Sequence, residues 1–142
     1  MNPTEAQIAL RRGGWRLTPS RRRVVEESLK REAPFTAEEV WGASPSVGRA
    51  TVYRTLRLLT DLGVLCKVVM EDGTPRYRPS VGAHHHHLVC VTCGQVEEFA
   101  HCVEAVLESL RRRTGFRLLN HRMEVYGLCP RCRGRVKERL RG

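Results

Sequence analysis

The sequence predicts an α+β protein with an N-terminal winged helix-turn-helix domain and a small C-terminal α/β domain. The prediction rests on three helix-like segments before a hairpin-like one, and on a change of composition after them. All six histidines and five of the six cysteines lie after residue 82, whereas basic residues occur throughout. We therefore predict a first domain over residues 1–79, a hinge over 80–83 and a second, metal-binding domain over 84–142.

Helix start signals mark the first domain. Thr18 is a candidate N-cap, because its hydroxyl can accept a hydrogen bond from the first turn of a helix. Proline follows it at the first helical position, where the missing N–H costs nothing. Thr36 and Glu39 have the spacing of a capping box, which predicts a second helix. Ser46 is the candidate N-cap of the third helix, and Gly63 is its stop signal.

A predicted β-hairpin follows the third helix, with two apolar runs on either side of Glu71, Asp72 and Gly73. In a winged helix the third helix enters the major groove of DNA and the hairpin flanks it. Arginine on that helix suits DNA, because its guanidinium donates two hydrogen bonds at once to guanine or phosphate. The polar residues on or beside its exposed side are Arg49, Thr51, Tyr53, Arg54 and Arg57.

The excess of basic residues favours a polyanionic partner. Lys and Arg number 25 against 15 Asp and Glu, and the pI is about 10.1. Nucleic acid and an anionic membrane surface both attract such a chain, and a merely solvated basic surface is the simpler alternative. No apolar stretch reaches the roughly 18 residues of a membrane span, and no signal peptide is evident. We therefore expect a cytoplasmic protein without a membrane partner.

Two C-x-x-C pairs predict a structural zinc site in the second domain. The four cysteines are Cys90, Cys93, Cys129 and Cys132, with 35 residues between the pairs. Four thiolates arranged as a tetrahedron form a closed zinc site, which here would fasten the end of the chain to its first strand. Two redox dithiols are the alternative, but each pair would then have to open a helix, and only the second precedes a helix-like stretch.

Four consecutive histidines, residues 84–87, lead into a strand-like apolar segment. They are few and internal, which is not typical of an affinity tag. Side chains alternate faces along a strand, so His84 and His86 would point one way and His85 and His87 the other. Each pair would then offer two imidazoles to a separate metal.

Each metal needs further ligands, and spacing alone does not choose among the candidates. Glu104 begins a helix-like run, His121 lies in a strand-like one, and Cys102 is expected to be a core thiol at a helix start. The candidates are Cys66, Glu97, Glu98, His101, Cys102, Glu104 and His121.

Five motifs together resemble the ferric uptake regulator (Fur) family: RLTPSR, TAEEVW, ATVYRTLRLL with GV, HHHHLVCVTCGQVEEF and HRMEVYGLCPRC. They occur in the family's order and spacing, and the match covers nearly the whole chain. Members of that family are homodimeric, metal-activated transcriptional repressors with a winged helix and a C-terminal dimerisation domain. The resemblance implies a homodimer that binds double-stranded operator DNA and takes no small-molecule substrate.

The resemblance also implies roles for individual residues. Tyr53 and Arg54 correspond to major-groove contacts, and Arg16 stands where a basic residue enters the minor groove. The four cysteines match the family's structural zinc ligands. The implied regulatory site at the hinge comprises Cys66, His85 and His87. The implied second site comprises His84, His86, Glu104 and His121.

Departures from the family pattern favour zinc as the sensed metal. Iron- and peroxide-sensing members carry a histidine shortly before the TAEEVW motif, where this chain has Pro34 and Phe35. The all-histidine run resembles the zinc uptake regulators (Zur), although Cys66 and Ser80 stand where those proteins have a carboxylate and a thiolate. A site rich in sulfur and nitrogen favours zinc over ferrous iron. We expect a zinc-corepressed regulator, with iron or peroxide sensing as the alternative.

Two other classes of function fit less well. A zinc deaminase needs H-x-E followed by P-C-x-x-C, whereas His121 and Glu124 form H-x-x-E and the later motif is C-P-x-C. We therefore expect no enzymatic activity. An interaction module with structural zinc alone would show no metal-dependent binding of DNA.

Overall fold

The structure, a computed structural model, describes residues 2–80 and 84–139, with the side chains of residues 136–139 left undescribed. The chain divides into two compact units, Met1–Gly82 and Ala83–Gly142. This division falls within the predicted hinge, of which residues 81–83 lie outside the described residues. Among the described residues, no helix is long and apolar enough to cross a lipid bilayer.

Residues 2–80 of the first unit form four helices and a hairpin. The elements are α1 (Pro3–Arg12), α2 (Pro19–Leu29), α3 (Ala37–Gly42), α4 (Arg49–Asp61), β1 (Leu65–Val69) and β2 (Pro75–Pro79). Gly63 follows α4 with a left-handed φ of 68°, and Gly73 turns the antiparallel hairpin with a φ of 80°. The predicted order of three helices and a wing is confirmed, and one further helix precedes it.

Two of the predicted helix starts are confirmed. The Thr18 hydroxyl accepts a hydrogen bond at 3.3 Å from the backbone N–H of Arg21, a donor that has no partner within the helix itself. Thr36 and Glu39 bond to each other's backbone N–H at the start of α3, as a capping box requires. Each cap stabilises its helix by about 1 kcal/mol.

The start of α4 differs from the prediction. Ser46 is not the N-cap, because the N–H of Val47 donates to the carbonyl of Ser44 at 2.9 Å and residues 44–47 form a separate turn. The helix begins at Arg49, after Gly48, and no side chain caps it. Such a helix start keeps its positive dipole end open to anions such as phosphate.

Helix α1 was not predicted, and it completes the core of the first unit. Asn2 and Glu5 form a capping box at its start, a signal that the sequence does contain. Its Ala6 and Leu10 are fully buried, which ties this helix to the others. The buried apolar core comprises Ala6, Leu10, Val24, Val25, Phe35, Ala37, Val40, Val47, Val52, Leu56, Leu58, Leu59, Val64 and Leu65.

Residues 84–139 of the second unit form a mixed sheet with two helices. The elements are β3 (His86–Cys90), β4 (Val96–Phe99), α5 (Glu104–Thr114), β5 (Glu124–Gly127) and α6 (Pro130–Arg139). The central strand β3 pairs antiparallel with β4 and parallel with β5. Strand β4 and helix α5 lie in the connection between the parallel strands, which is long enough for the crossover that they require. The predicted α+β class is confirmed.

Few apolar side chains are buried in the second unit. Among its described residues, the buried apolar ones are Val89, Cys90 and Cys132, whereas Phe116 is 71% and Leu119 is 82% exposed. A unit with so small a core gains little from hydrophobic burial, so other interactions must hold it folded. Two such interactions are possible: its cysteines and histidines can bind metal ions, and its exposed apolar residues can pack against another chain.

Candidate metal centres and DNA-binding surface

The strand registers bring several metal-binding side chains to the start of β3. Strand β4 ends opposite His86, and strand β5 begins beside His87. The segment that follows β4 and the segment that precedes β5 therefore meet at this end of the sheet. These two segments carry Cys102 and His121.

The first group, here called the His3Cys cluster, comprises His84, His86, Cys102 and His121. Nε2 of His84 lies 3.2 Å from Nε2 of His86 and 3.0 Å from that of His121, and the last two are 3.4 Å apart. Sγ of Cys102 lies 3.0 Å from Nε2 of His121. Nitrogens bound tetrahedrally to zinc at 2.0–2.1 Å are themselves roughly 3.4 Å apart, so the imidazoles are spaced as for a shared metal.

The structure corrects three expectations for this cluster. The family resemblance implies Glu104 as a ligand, but Glu104 is the exposed first residue of α5 and is not part of the group. A carboxylate there interacts favourably with the helix dipole while it faces water. Cys102 is a half-buried neighbour of His121 rather than a core thiol. His121 itself lies in the irregular segment before β5, not in a strand.

His86 is the deepest member of the cluster, with its side chain fully buried. Burial lowers the pKa of its imidazole, and the neighbouring His84 and His121 lower it further. The ring is therefore neutral near pH 7. A neutral imidazole keeps the lone pair with which it can bind a metal.

The second group lies on the other side of the histidine run. The rings of His85 and His87 are 5.0 Å apart, so the predicted alternation of the four histidines is present. Glu98 lies opposite His87 in β4, and these three residues each place one ligand atom within 4.8 Å of the other two. Cys66, the remaining predicted member, is a half-buried residue of β1 in the first unit. Glu98 was only one of several candidates, because its selection depends on the register of β4.

The third group is the four-cysteine cluster: Cys90, Cys93, Cys129 and Cys132. Its sulfur atoms all lie within 4.8 Å of one another, and Sγ of Cys93 is 3.8 Å from Sγ of Cys129. Four sulfurs bound to zinc at about 2.3 Å with tetrahedral angles stand roughly 3.8 Å apart. The structure thus brings the predicted residues together with the spacing of a zinc site. Zinc binding by them stays a prediction.

Backbone hydrogen bonds prepare the four-cysteine cluster for a cation. The N–H of Cys129, just before α6, donates to Sγ of Cys90 at 3.4 Å. This bond and one from the backbone of Cys93 lower the pKa of Cys90 to about 6. A hydrogen bond with the Cys129 side chain, together with burial, raises the pKa of Cys132 to about 12. The Cys90 thiol therefore ionises readily, whereas Cys132 resists ionisation, and a divalent cation bound to the four sulfurs favours the thiolate form of each.

Helix α4 exposes most of the predicted DNA contacts on the side opposite the core. Its exposed members are Arg49, Tyr53, Arg54 and Arg57, and Thr51 is half-buried. Arg16 is exposed in the segment between α1 and α2, where its carbonyl accepts a hydrogen bond from the guanidinium of Arg21. Cationic and hydroxyl side chains on one helix face can contact both base edges and phosphates.

Glu38 of α3 joins two of these side chains. Its Oε1 accepts a hydrogen bond from Nη2 of Arg49 at 3.0 Å and another from the hydroxyl of Tyr53. The bond from Tyr53, followed by that from Arg49, lowers the pKa of Glu38. The Arg49 guanidinium also lies 5.7 Å from the ring centroids of Trp41 and Tyr53. A carboxylate therefore lies on the surface that is expected to face DNA. The sequence alone did not indicate this contact, because it joins side chains of two different helices.

Comparisons with known proteins agree with this architecture. The sequence model of the Ferric uptake regulator family matches residues 12–126. The Ferric uptake regulation protein of Bacillus subtilis (strain 168) is 41% identical over 138 residues, covering 91% of this chain and 93% of that protein. The Peroxide-responsive repressor PerR of Staphylococcus epidermidis is 30% identical over 135 residues, covering 91% and 89%. A solved structure, described as Zinc Uptake Regulator Complexed With Zinc AND DNA, has a TM-score of 0.75, 27% identity and 95% coverage of both chains. The chain belongs to the ferric uptake regulator family.

Proposed function

We propose that this protein is a zinc-responsive transcriptional repressor that binds operator DNA as a homodimer. The observation that carries the choice of metal is the donor set of the second unit, where one cluster holds four thiols and another combines a thiol with three imidazoles. Thiolate ligands select zinc over divalent metals that prefer carboxylate and water. The metal part of the proposal therefore rests on ligand chemistry.

The four-cysteine cluster would hold a structural zinc ion. In this role Cys90, Cys93, Cys129 and Cys132 would connect the end of β3 to the start of α6. Zinc would supply four strong bonds to sulfur in a unit that buries few apolar side chains. Binding of such an ion is coupled to folding, because the unfolded chain does not hold the ligands together.

The histidine pairs would supply the sensing sites. His85 and His87, with Glu98 beside them, would form the regulatory site, and the resemblance to the family adds Cys66. His84, His86 and His121 would contribute to a second site. Metal activates DNA binding only when it binds the DNA-competent conformation more tightly than the alternative. A shift from 1:99 to 99:1 requires about 5.5 kcal/mol of such a difference.

The exposed apolar side chains of the second unit support a homodimer. Val106 is 56%, Phe116 71% and Leu119 82% exposed, and further apolar residues of β3 and β5 are also exposed. Many exposed large apolar side chains on a unit with a small core are typical of a chain that associates with another. A two-fold dimer would present two copies of α4 to the half-sites of a pseudo-palindromic operator.

Base and phosphate contacts would divide along α4. Tyr53 and Arg54 would read the major groove, where side chains meet distinct patterns of donors and acceptors on each base pair. The basic residues nearby would bind phosphates, which set affinity and register without reading sequence. Arg16 would enter the minor groove, and the remaining contacts would come from Arg49, Thr51 and Arg57.

Retention of genomic DNA fragments by the purified protein, at buffered free zinc and separately at buffered ferrous iron, tests the proposal. We expect retention to appear over a narrow range of free zinc and not with iron. His87→Ala should abolish the zinc response, whereas His101→Ala, which changes an exposed histidine outside the three clusters, should keep it. Retention that ignores both metals would contradict a sensor of either kind.

An iron-sensing regulator is the second candidate. It is favoured by the 41% identity with a protein named Ferric uptake regulation protein. Glu98 beside His85 and His87 also gives the regulatory group a carboxylate, which ferrous iron accepts well. Retention of DNA with ferrous iron alone would support this candidate, and its loss on adding peroxide would indicate a peroxide sensor.

A further inference from the structure

We propose that Cys102 is the fourth ligand of the His3Cys cluster, so that the second site binds its metal through one thiolate and three imidazoles. The inference deepens the proposed function and rests on it for the biological role of the site, but not for metal binding. The sulfur of Cys102 takes the place of the Glu104 carboxylate, which the family resemblance implies as a ligand of this site.

The strand pairing brings the backbone of Cys102 to this end of the sheet. Strand β4 ends opposite His86 and the chain then continues into Cys102, three residues later. The parallel pairing of β3 and β5 is extended by the N–H of His87, which donates to the carbonyl of Met123 at 3.2 Å and brings His121 to the same end of the sheet. The four ligand atoms consequently lie within 4.8 Å of one another on three separate segments.

The three close Nε2 atoms cannot all form hydrogen bonds with one another. The Nε2 atoms of His84, His86 and His121 form a triangle with sides of 3.0, 3.2 and 3.4 Å. Each Nε2 carries either a proton or a lone pair, and a hydrogen bond needs one of each. At least two of the three atoms are therefore alike, and at least one side of the triangle is repulsive. A cation at the centre removes the conflict, because it accepts a lone pair from every nitrogen.

The Cys102 sulfur completes such a cation's ligand set. It lies 3.0 Å from Nε2 of His121, close enough to share an ion, and it is half-buried like a ligand rather than solvated. Glu104 lies two residues further along and is exposed at the first turn of α5. A site with one thiolate and three imidazoles suits zinc or cobalt, whereas an oxygen ligand in place of the sulfur would also suit manganese.

Cobalt titration of the full-length protein tests the assignment, because a thiolate bound to Co²⁺ gives a charge-transfer absorption that imidazole and carboxylate do not. The structural zinc is left in place and counted by metal analysis, so that cobalt at the four-cysteine cluster is excluded. A Cys66→Ser background removes the other thiol proposed to bind a sensing metal. In that background we expect one cobalt ion to produce the charge-transfer band.

Adding Cys102→Ser should remove the band and weaken cobalt binding by at least about tenfold. Cys102→Asp, which restores a ligand without sulfur, should recover binding but not the band. The matched control Glu104→Gln should keep both. An unchanged band in the Cys102→Ser protein, or its loss in the Glu104→Gln protein, would overturn the assignment. DNA retention is measured separately on the protein without these substitutions. If that protein shows no zinc response, the proposed function is refuted, whereas the charge-transfer band still decides whether Cys102 is a ligand.

Discussion

Removal of the Glu38 charge should strengthen DNA binding, because this carboxylate pairs with Arg49, a side chain that is proposed to contact DNA. Oε1 of Glu38 accepts hydrogen bonds from both Arg49 and Tyr53. When DNA approaches, Arg49 either keeps this partner or exchanges it for a phosphate. In the Glu38→Gln protein, Arg49 can move to a phosphate without breaking an ion pair. The substitution also removes a negative charge that would otherwise repel the DNA backbone.

The expected magnitude follows from counterion release. Each phosphate that a protein neutralises adds about 0.9 to the slope of log K against log salt concentration. If Arg49 neutralises one more phosphate in Glu38→Gln, the slope steepens by about 0.9 for each protomer bound. At roughly 0.1 M salt this corresponds to about eightfold tighter binding for each protomer, or about sixtyfold for a dimer with both protomers on DNA, and the gain disappears toward 1 M. It should be equal for operator and unrelated DNA, because phosphate contacts do not read sequence.

Fluorescence anisotropy with labelled duplexes across a salt series, at saturating zinc, measures both the slope and the affinity. Glu108→Gln is the matched control, since Glu108 accepts hydrogen bonds at 2.8 and 2.9 Å from Arg111 on α5 of the second unit. It changes the net charge equally and breaks a similar surface pair. Equal slopes for wild type and Glu38→Gln, or equal changes in the two variants, would refute the role given to Glu38.

Four further outcomes are expected. Cys129→Ser should release one zinc ion per chain in metal analysis and lower the unfolding temperature of the second unit; retained zinc would contradict the four-cysteine site. The zinc affinity of the four-cysteine site should fall as the pH falls, because protons compete with zinc for the sulfurs. The fall should be steeper below about pH 6, where Cys90 of the metal-free protein also carries a proton. Competition with a chelator at several pH values measures this affinity. Leu119→Asp should shift a dimer to monomer in analytical ultracentrifugation with little loss of protomer stability, since Leu119 is 82% exposed. Thr36→Ala should cost about 1 kcal/mol in denaturant unfolding, because it removes the cap of α3.

Local signals in the sequence were sufficient for much of the fold. The caps at Thr18 and Thr36 and the turn at Gly73 depend only on nearby residues, and all three are present in the structure. The alternation of the four histidines was predicted from strand geometry and is present, although β3 itself begins at His86. The cap expected at Ser46 failed because a competing turn, formed by residues 44–47, is as local as the cap and uses the same residues.

The remaining ligands could not be chosen from the sequence, because they depend on which strands pair and in what register. Glu98 is opposite His87 only because β4 runs antiparallel to β3 with that offset. Cys102 and His121 meet only because β4 and β5 flank the same strand on its two edges. A shift of one residue in either register would turn the neighbouring side chain toward the site instead. Spacing along the chain contains no information about these offsets.

The two units differ in what holds them folded, and this difference matters for sensing. The first unit has an apolar core of its own, whereas the second buries Val89 and little else that is aliphatic among its described residues. A bound metal would therefore contribute a large share of the second unit's stability, about 4.1 kcal/mol for a metal present at a thousand times its dissociation constant. All three clusters include residues of one short stretch, because the histidines at 84–87 belong to the two proposed sensing groups and Cys90 belongs to the four-cysteine cluster. A metal bound at one cluster would thus order the strand that the other clusters need, and the proposed structural zinc would be coupled to the proposed sensing sites without any shared ligand.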